Sequence, residues 1–453
     1  MKPQIQVSCY QYHKLYRAKT MTLSIELFLI GIVGLSCLST ASIFNQQQQN
    51  RALAQQYIPT IKYRNLVIDL GNGVKTNAQL TYPAVGKGPF PGVLLIHGSG
   101  ANDKNGTLGF VHKNGPKPPT PLWQIAQYLS ERGFAVLRYD KRGVSANFTI
   151  NQNVWGNTTV KDLIQDSKKA LNVLIHQPEV DPKRISIIGH SEGTQYAPRV
   201  AIVDSTKVKN IVLMGTVAQN LRDILHYQAV FLPLQYASEV LDKNHTGLIS
   251  IQQIAKDPVL SHLLVPSSVI LTFLRTNNAK VITNALVNKF GNNTIEAGYV
   301  SIEKQIKPVL IKGYENISSF NLSKCNNLEG CPVWYRSQFS LIPTLSIIGN
   351  VSKSIGILML NGENDSETPV QQAFLLQQRL TEVNHPDHTL ITYPNLGHVF
   401  YPSSQWTRGA GVGIEQYVLA DIYSWLEAHS GLSHSYATTT STLGASTISS
   451  SKR

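Results

Sequence analysis

Apolar positions along the chain fall into two rhythms. Short runs rich in Val, Ile and Leu read as buried strands bounded by turn residues: "GVLLIHGSG" (Gly92 to Gly100), "AVLRYD", "RISIIGH" (Arg184 to His190), "IVLMG", "SIGILMLNGEND" (Ser354 to Asp365) and "HTLITYPNLGH" (His388 to His398). Between them, stretches such as "TVKDLIQDSKKALNVLIHQ" repeat their apolar residues at helical spacing. Strands alternating with helices predict an α/β fold, a mostly parallel sheet covered by helices on both faces.

The alternation breaks from about Thr216 to Gly349, where "LRDILHYQAVFLPLQYASEVL" and "NNAKVITNALVNKF" read as helices. An insertion at this point sits above the C-terminal ends of the strands, where open α/β sheets bind ligands, so it reads as a helical cap. The expected organisation is a core in two parts, 58–215 and 350–431, around a cap at 216–349. Phe231, Leu234, Tyr236, Phe273 and Trp334 are candidates to line an acyl pocket, although most apolar residues of a cap serve its own core. Residues 45–57 form a polar linker, and the Ser/Thr-rich tail 432–453 lacks the periodicity of a packed segment.

The candidate chemistry starts at "GHSEGTQ". Gly189, His190, Ser191, Glu192 and Gly193 fit G-x-S-x-G, a pattern too short to mean much alone. Its context is specific: a strand precedes it and a small, apolar, helix-forming run follows. On a strand-to-helix turn the serine occupies a strained backbone position with its hydroxyl outward, and the flanking glycines leave the room that side chains would fill. A serine hydroxyl also needs an imidazole to take its proton, an acid to orient that imidazole, and donors for the oxyanion. Later strands supply Asp365 and then His398 in the chain order Ser, Asp, His, and Glu363 is a rival acid on the same turn as Asp365. The loop after "GVLLIH" would bring the Ser99 N–H beside that of Glu192, as an oxyanion hole. This set needs no metal or cofactor for catalysis.

Together, "LLIHGSGANDKNG", "GFAVLRYDKRGVS", "DPKRISIIGHSEGT", "ILMLNGENDSETPV" and "YPNLGH" resemble the serine aminopeptidase-like esterases of the α/β-hydrolase superfamily, over roughly residues 60 to 430. The resemblance implies an α/β-hydrolase fold, metal-independent ester hydrolysis, and a triad of Ser191, Asp365 and His398, favouring Asp365 over Glu363. The chain departs from the family at "YDKRGVSANF", which lacks the usual second glycine. Asp140 and Arg142 are candidates for substrate contact but read better as residues that tie down a loop by an ion pair or backbone hydrogen bonds. His97 and His190 read as residues that fix loops by hydrogen bonds, since neither histidine fits the base position in chain order.

The remaining features bear on compartment and partners. With 453 residues and 42% apolar content the chain can bury a large core, and its net charge of +13 has no concentrated Lys/Arg block, which argues against a nucleic-acid groove. Lys2, Lys14, Arg17 and Lys19 precede an uncharged run from Leu27 to Phe44. Residues 1–54 therefore read as a signal peptide or an N-in signal anchor plus linker, with cleavage sites after Ala54 or Ala41, or membrane anchoring through 27–44 if uncleaved. The enzyme is expected outside the cytoplasm, secreted or anchored. In "CNNLEGC", Cys325 and Cys331 read as a disulfide, which suits export. Within the cap, "DKNHTGLISIQQ" (Asp242 to Gln253) places Asp242, Asn244, Thr246, Gly247 and Ser250 at EF-hand positions 1, 3, 5, 6 and 9, but Gln253 stands where calcium needs a bidentate carboxylate. The loop reads as weak or vestigial for calcium.

The expected function is cleavage of small carboxylic esters through an acyl-enzyme. The alternative enzyme is an aminopeptidase or amidase acting on short peptides, with a cap acid such as Glu239 or Glu303 facing the substrate amine. The alternative of another class is an inactive hydrolase fold that binds surfaces or responds to calcium.

Overall fold

Alternating, β-rich residues on either side of Gly71-Asn72-Gly73 encode a hairpin that the run-by-run pattern does not pick out. β1 (Ile61–Gly71) pairs antiparallel with β2 (Val74–Pro83), and all three turn residues take positive φ. This computed structural model describes residues 60–108, 118–145, 149–265, 278–290, 298–318, 331–406 and 413–431, with scattered positions between 266 and 277. The N-terminal segment 1–54, the linker, Phe273, Cys325 and the tail 432–453 lie outside the described residues. Among the described residues no helix is long and apolar enough to cross a membrane.

The predicted strand runs become β3 (Phe90–Ile96), β4 (Ala135–Tyr139), β5 (Val180–His190), β6 (Val208–Met214), β7 (Gly356–Gly362) and β8 (His388–Tyr393). β5 begins earlier than its apolar run, because Val180 and Asp181 already pair with Phe90 and Pro91 before the register shifts at Ile185. The eight strands lie in the order β1-β2-β4-β3-β5-β6-β7-β8, parallel from β4 through β8 and antiparallel only in the pairings of β2.

Helices cover both faces, and period-two alternation decides what each meets. On one face Leu94, Ile96, Ile187, Leu213 and Met359 pack with α2 (Val160–Ile175), α3 (Gly193–Val203) and, after α4 (Pro332–Phe339), α5 (Gln371–Glu382). On the other, Val93, Leu95, Ile188, Val212 and Leu358 pack with α1 (Pro121–Ser130) and α6 (Gln416–Ser430).

Between β6 and β7 the chain is mostly helical and carries a core of its own, in which Val230, Ile249, Ile254, Leu286, Val300 and Ile306 are buried. Residues 221–241, predicted as one long helix, form a helix that passes in and out of π geometry. Two short strands absent from the sequence reading organise this core. Leu248–Ser250 pairs antiparallel with Tyr299–Ser301 about the Ile249–Val300 pair. The Ile251 N–H bonds the Gly298 carbonyl and the Ile302 N–H bonds the Gly247 carbonyl, so two helix-entry turns, each opened by a serine cap, face each other with near-twofold symmetry.

Candidate active site

Ser191 closes β5 and precedes α3, with φ of +54°, in the left-handed region that side chains other than glycine rarely adopt. The flanking glycines are steric necessities. A Cβ on Gly189 would stand 2.3 Å from the Gly193 carbonyl oxygen, and one on Gly193 would stand 2.6 Å from that of Ile96. The Ser191 N–H donates to the Met214 carbonyl at 2.8 Å, and the Thr194 hydroxyl donates to the Ser191 carbonyl at 2.6 Å, so the turn is fixed on both sides.

The loop after β7 brings Asp365, and the loop after β8 brings His398. Asp365 Oδ2 lies 2.8 Å from His398 Nδ1, and both side chains are buried. Glu363, the rival acid, instead accepts from the Thr392 hydroxyl at an exposed position. Asp365 is itself held. Its Oδ1 accepts the N–H groups of Glu367 and Thr368, each at 2.8 Å, and its Oδ2 accepts the Thr368 hydroxyl at 2.9 Å. That hydroxyl oxygen is also 3.1 Å from His398 Nδ1. Sequence reasoning missed Thr368, although a hydroxyl three residues after an aspartate on a turn is a usual local partner. Room for the imidazole comes from Gly215, whose φ is +61° and whose Cβ would come within 2.9 Å of His398 Cε1.

The two expected oxyanion donors are the backbone N–H groups of Ser99 and Glu192. The loop carrying Ser99 approaches Ser191 closely: a Cβ on Gly98 would lie 3.0 Å from Ser191 Cβ. Glu192 caps α3, so its N–H stands at a helix N-terminus, which favours negative charge. Its side chain, which sequence reasoning left aside, is buried and bonded to Lys141, Trp334, Gln338 and Tyr196.

The neighbouring residues serve the scaffold. Asp140 accepts the Lys104 N–H at 2.7 Å, and Arg142 binds Asp166 through two nitrogens and Asp162 at 3.5 Å. Asp140 is thus tied by a backbone hydrogen bond and Arg142 by ion pairs, each with its own partners. His190 Nε2 lies 3.1 Å from the His398 carbonyl oxygen, and His97 packs edge-on against Tyr139. Burial holds both imidazoles neutral, at a pKa of about 3, with Lys141 adding to the effect at His97 and His398 at His190.

The cap reaches the site through its first helix. Gln228 Nε2 donates to the Glu367 carbonyl at 2.7 Å, and burial followed by the Asp365 charge pushes the Tyr227 phenol up to about 12. Of the expected pocket residues, Tyr236 and Leu234 belong to the cap's own core, Phe231 is exposed, and Trp334 is buried on α4. Glu239 accepts from Gln235, and Glu303 pairs with Lys307 on the surface, whereas Glu367 Oε2 lies 3.9 Å from His398 Nε2. Cys331 is disulfide-bonded. In the EF-hand-like loop, Asp242 accepts the N–H groups of Thr246 and Gly247, which lower its carboxyl pKa against a desolvation that would raise it. Gln253 at position 12 bonds the Ser250 N–H and the Leu241 carbonyl. Among the described residues no three His, Cys, Asp or Glu side chains cluster as metal ligands.

Comparison with known proteins finds similar sequences over two parts of the chain. Residues 39–230 match the family model of the FrsA-like esterases, and residues 313–433 match that of the prolyl oligopeptidase family. Esterase EstD of Thermotoga maritima is 32% identical over 154 residues, 34% of this chain and 33% of that protein. Esterase FrsA of Yersinia pestis is 26% identical over 175 residues, 38% of this chain and 36% of that protein. The matched stretch thus spans about a third of the length of these relatives. Among solved structures, the α/β hydrolase GrgF from Penicillium sp. sh18 aligns with a TM-score of 0.46 at 16% identity, covering 82% of this chain and 100% of that one. The sheet order of the chain is that of an α/β-hydrolase fold, and its two matched stretches are similar to the FrsA-like esterases and to the prolyl oligopeptidase family.

Proposed function

We propose that the protein is a serine hydrolase that cleaves carboxylic esters through an acyl-enzyme. The observation that carries this reading is a left-handed serine at the end of a parallel strand, on a sheet that also holds a buried imidazole 2.8 Å from a buried carboxylate. His398 takes the Ser191 proton as Oγ attacks the ester carbonyl, and Asp365 holds the imidazole and stabilises its charged form. The carbonyl oxygen, now anionic, is bound by the Ser99 and Glu192 N–H groups. Collapse expels the alkoxide, which takes the proton from His398. Water then repeats the sequence on the acyl-enzyme and releases the acid. The test is turnover of p-nitrophenyl acetate or butyrate, with fluorophosphonate labelling at Ser191. Purified protein that does neither overturns the reading, and Ser191→Ala should abolish both while leaving the thermal transition in place.

One observation favours a second reading, an aminopeptidase or amidase. Glu367 sets a carboxylate 3.9 Å from His398 Nε2, the nitrogen that faces the reacting groups in this mechanism, so a substrate with a free amine would find a counter-charge there. Matched aminoacyl ester and aminoacyl anilide substrates separate the readings: similar efficiency on both favours the peptidase. Glu367→Gln should then weaken free-amine substrates while sparing p-nitrophenyl butyrate. The calcium-responsive reading has less support, since one carboxylate and a glutamine at position 12 make a poor calcium site. We also propose that the catalytic unit works outside the cytoplasm, for which the disulfide at Cys331 is the structural support. Cell fractionation with N-terminal sequencing tests this, and a soluble cytoplasmic protein with free thiols would refute it.

A further inference from the structure

A buried ion pair beside the nucleophile takes no part in the chemistry just described. Lys141 Nζ lies 2.7 Å from Glu192 Oε2, with side-chain exposures of 3% and 1%. Desolvating two charges is costly, and such a pair adds little net stability over apolar residues of the same volume. Its bonds suggest a different use. Glu192 Oε1 accepts the Trp334 indole N–H at 2.6 Å, the Gln338 amide at 2.7 Å and the Tyr196 hydroxyl, so the carboxylate is held by α3 and α4 together. Lys141 spends a second N–H on the Gly98 carbonyl oxygen, at 2.6 Å, and Asn102 Nδ2 reaches the same oxygen at 3.0 Å.

That carbonyl belongs to the same peptide group as the Ser99 N–H. In a planar trans peptide the C=O and N–H point in opposite directions, so fixing one fixes the other. Lys141 and Asn102 hold the oxygen, and the N–H is thereby aimed away from them. Among the described residues, neither the Ser99 N–H nor the Glu192 N–H donates to another protein group.

We propose that Lys141, locked by the Glu192 carboxylate, is a positioning residue that orients the Ser99 N–H for oxyanion stabilisation. It rests on the esterase reading above. Glu192 then serves both donors: its own N–H is one, and its side chain sets the other through Lys141. The anchoring of that side chain to Trp334 and Gln338 links the geometry of the hole to the packing of α4.

The test compares wild type with Lys141→Met and with Lys141→Met/Glu192→Gln, which removes both charges and so avoids stranding a buried carboxylate. Deleting an oxyanion donor outright lowers kcat by about 10²–10³-fold, so misorienting one should lower it by about 10- to 100-fold. KM should stay within about twofold, and affinity for a trifluoromethyl ketone, which forms a tetrahedral oxyanion adduct, should fall in step with kcat. Lys141→Arg, which keeps the donors, should recover part of both. A pair that merely ties loops together would lower the thermal transition without this joint loss. Folded variants with wild-type kcat and ketone affinity overturn the proposal, as does a failure of both Met variants to fold. A wild-type enzyme without turnover or labelling would instead remove the esterase reading beneath it.

Discussion

The turn at Gly189–Gly193 and the loop at Asp242–Gln253 both carry a recognisable motif, and both are tight turns fixed by hydrogen bonds. Each contains a left-handed residue other than glycine, Ser191 at φ +54° and His245 at φ +52°. They differ in what surrounds that backbone. The first turn receives an acid from the loop after β7 and an imidazole from the loop after β8, elements distant in sequence that the sheet order brings to one end. The second turns its polar groups on itself: Asp242 serves Thr246 and Gly247, and Gln253 serves Ser250 and Leu241. A motif's shape comes from its glycines and caps, whereas its chemistry depends on a donor set that the rest of the fold must complete.

The largest difference should appear when each glycine is given a methyl group. Gly189→Ala puts a Cβ 2.3 Å from the Gly193 carbonyl oxygen, so the elbow must distort. Activity should drop by at least about a thousandfold, because a misplaced nucleophile loses the alignment that supplies much of the rate. Gly247→Ala meets nothing within 4 Å and carries only the strain of φ +74°. It should cost about 1 kcal/mol of stability and leave kcat unchanged. Comparable activity losses in the two variants would mean that the cap loop takes part in catalysis.

How far this could be read in advance follows the same division. Each inner strand of the parallel part announced itself as a short apolar run, because a strand covered on both faces must be apolar on both, whereas the edge strand β8 mixes polar with apolar residues and is half-buried. The candidate residues Ser191, Asp365 and His398 could be picked out from their order and their strand ends, and the structure sets the last two side by side. Thr368 was not, because its role depends on a turn that places its hydroxyl between two side chains. Nor was the Glu192 network: Lys141, Glu192 and Trp334 lie far apart in sequence, and no local pattern joins them. The cap was legible as helical but not as a lining, since an apolar residue in a helix shows neither which core it enters nor whether it faces a substrate.

Thr368→Val tests the completed side of the comparison at smaller scale. It removes a hydroxyl that donates to Asp365 Oδ2 and lies 3.1 Å from His398 Nδ1, while leaving the backbone bonds to Asp365 intact. Steady-state kinetics should show kcat lowered by about 5- to 20-fold, in the range of weakened orientation of a general base. An unchanged kcat would show that the backbone N–H groups alone fix the acid.

The histidines around the elbow set a pH limit. His97 is held neutral to about pH 3, by burial first and then by Lys141. The unfolded chain takes up that proton below about pH 6.5, so the unfolded state binds more protons between pH 6.5 and 3. This contribution is fully present above pH 6.5 and is lost as the pH falls toward 3, by about 1.4 kcal/mol per pH unit. His190 acts in the same sense. Melting temperatures should be level above pH 7 and fall below 6.5, and His97→Asn should make the fall shallower. Parallel curves for the two proteins would refute this account.

The smallest effect is expected from restoring the donor that the cap loop lacks. With Gln253 at position 12, the wild-type loop offers calcium a single carboxylate, at Asp242, which already accepts two backbone N–H groups. Ten millimolar calcium should therefore shift the melting temperature no more than magnesium does. Gln253→Glu places a second carboxylate at position 12, where the bidentate ligand of an EF-hand stands. Its side chain gives up the amide bond to the Leu241 carbonyl, so the variant should melt slightly lower than wild type without metal. Calcium should then raise its transition by about 1–3 °C, the shift expected when a ligand of millimolar affinity binds only the folded state. If calcium stabilises wild type as much as the variant, the loop is already a cation site and the contrast with the elbow fails. If it stabilises neither, the short helix after Ser250 does not present residue 253 to the loop, and two carboxylates are too few to displace the internal hydrogen bonds.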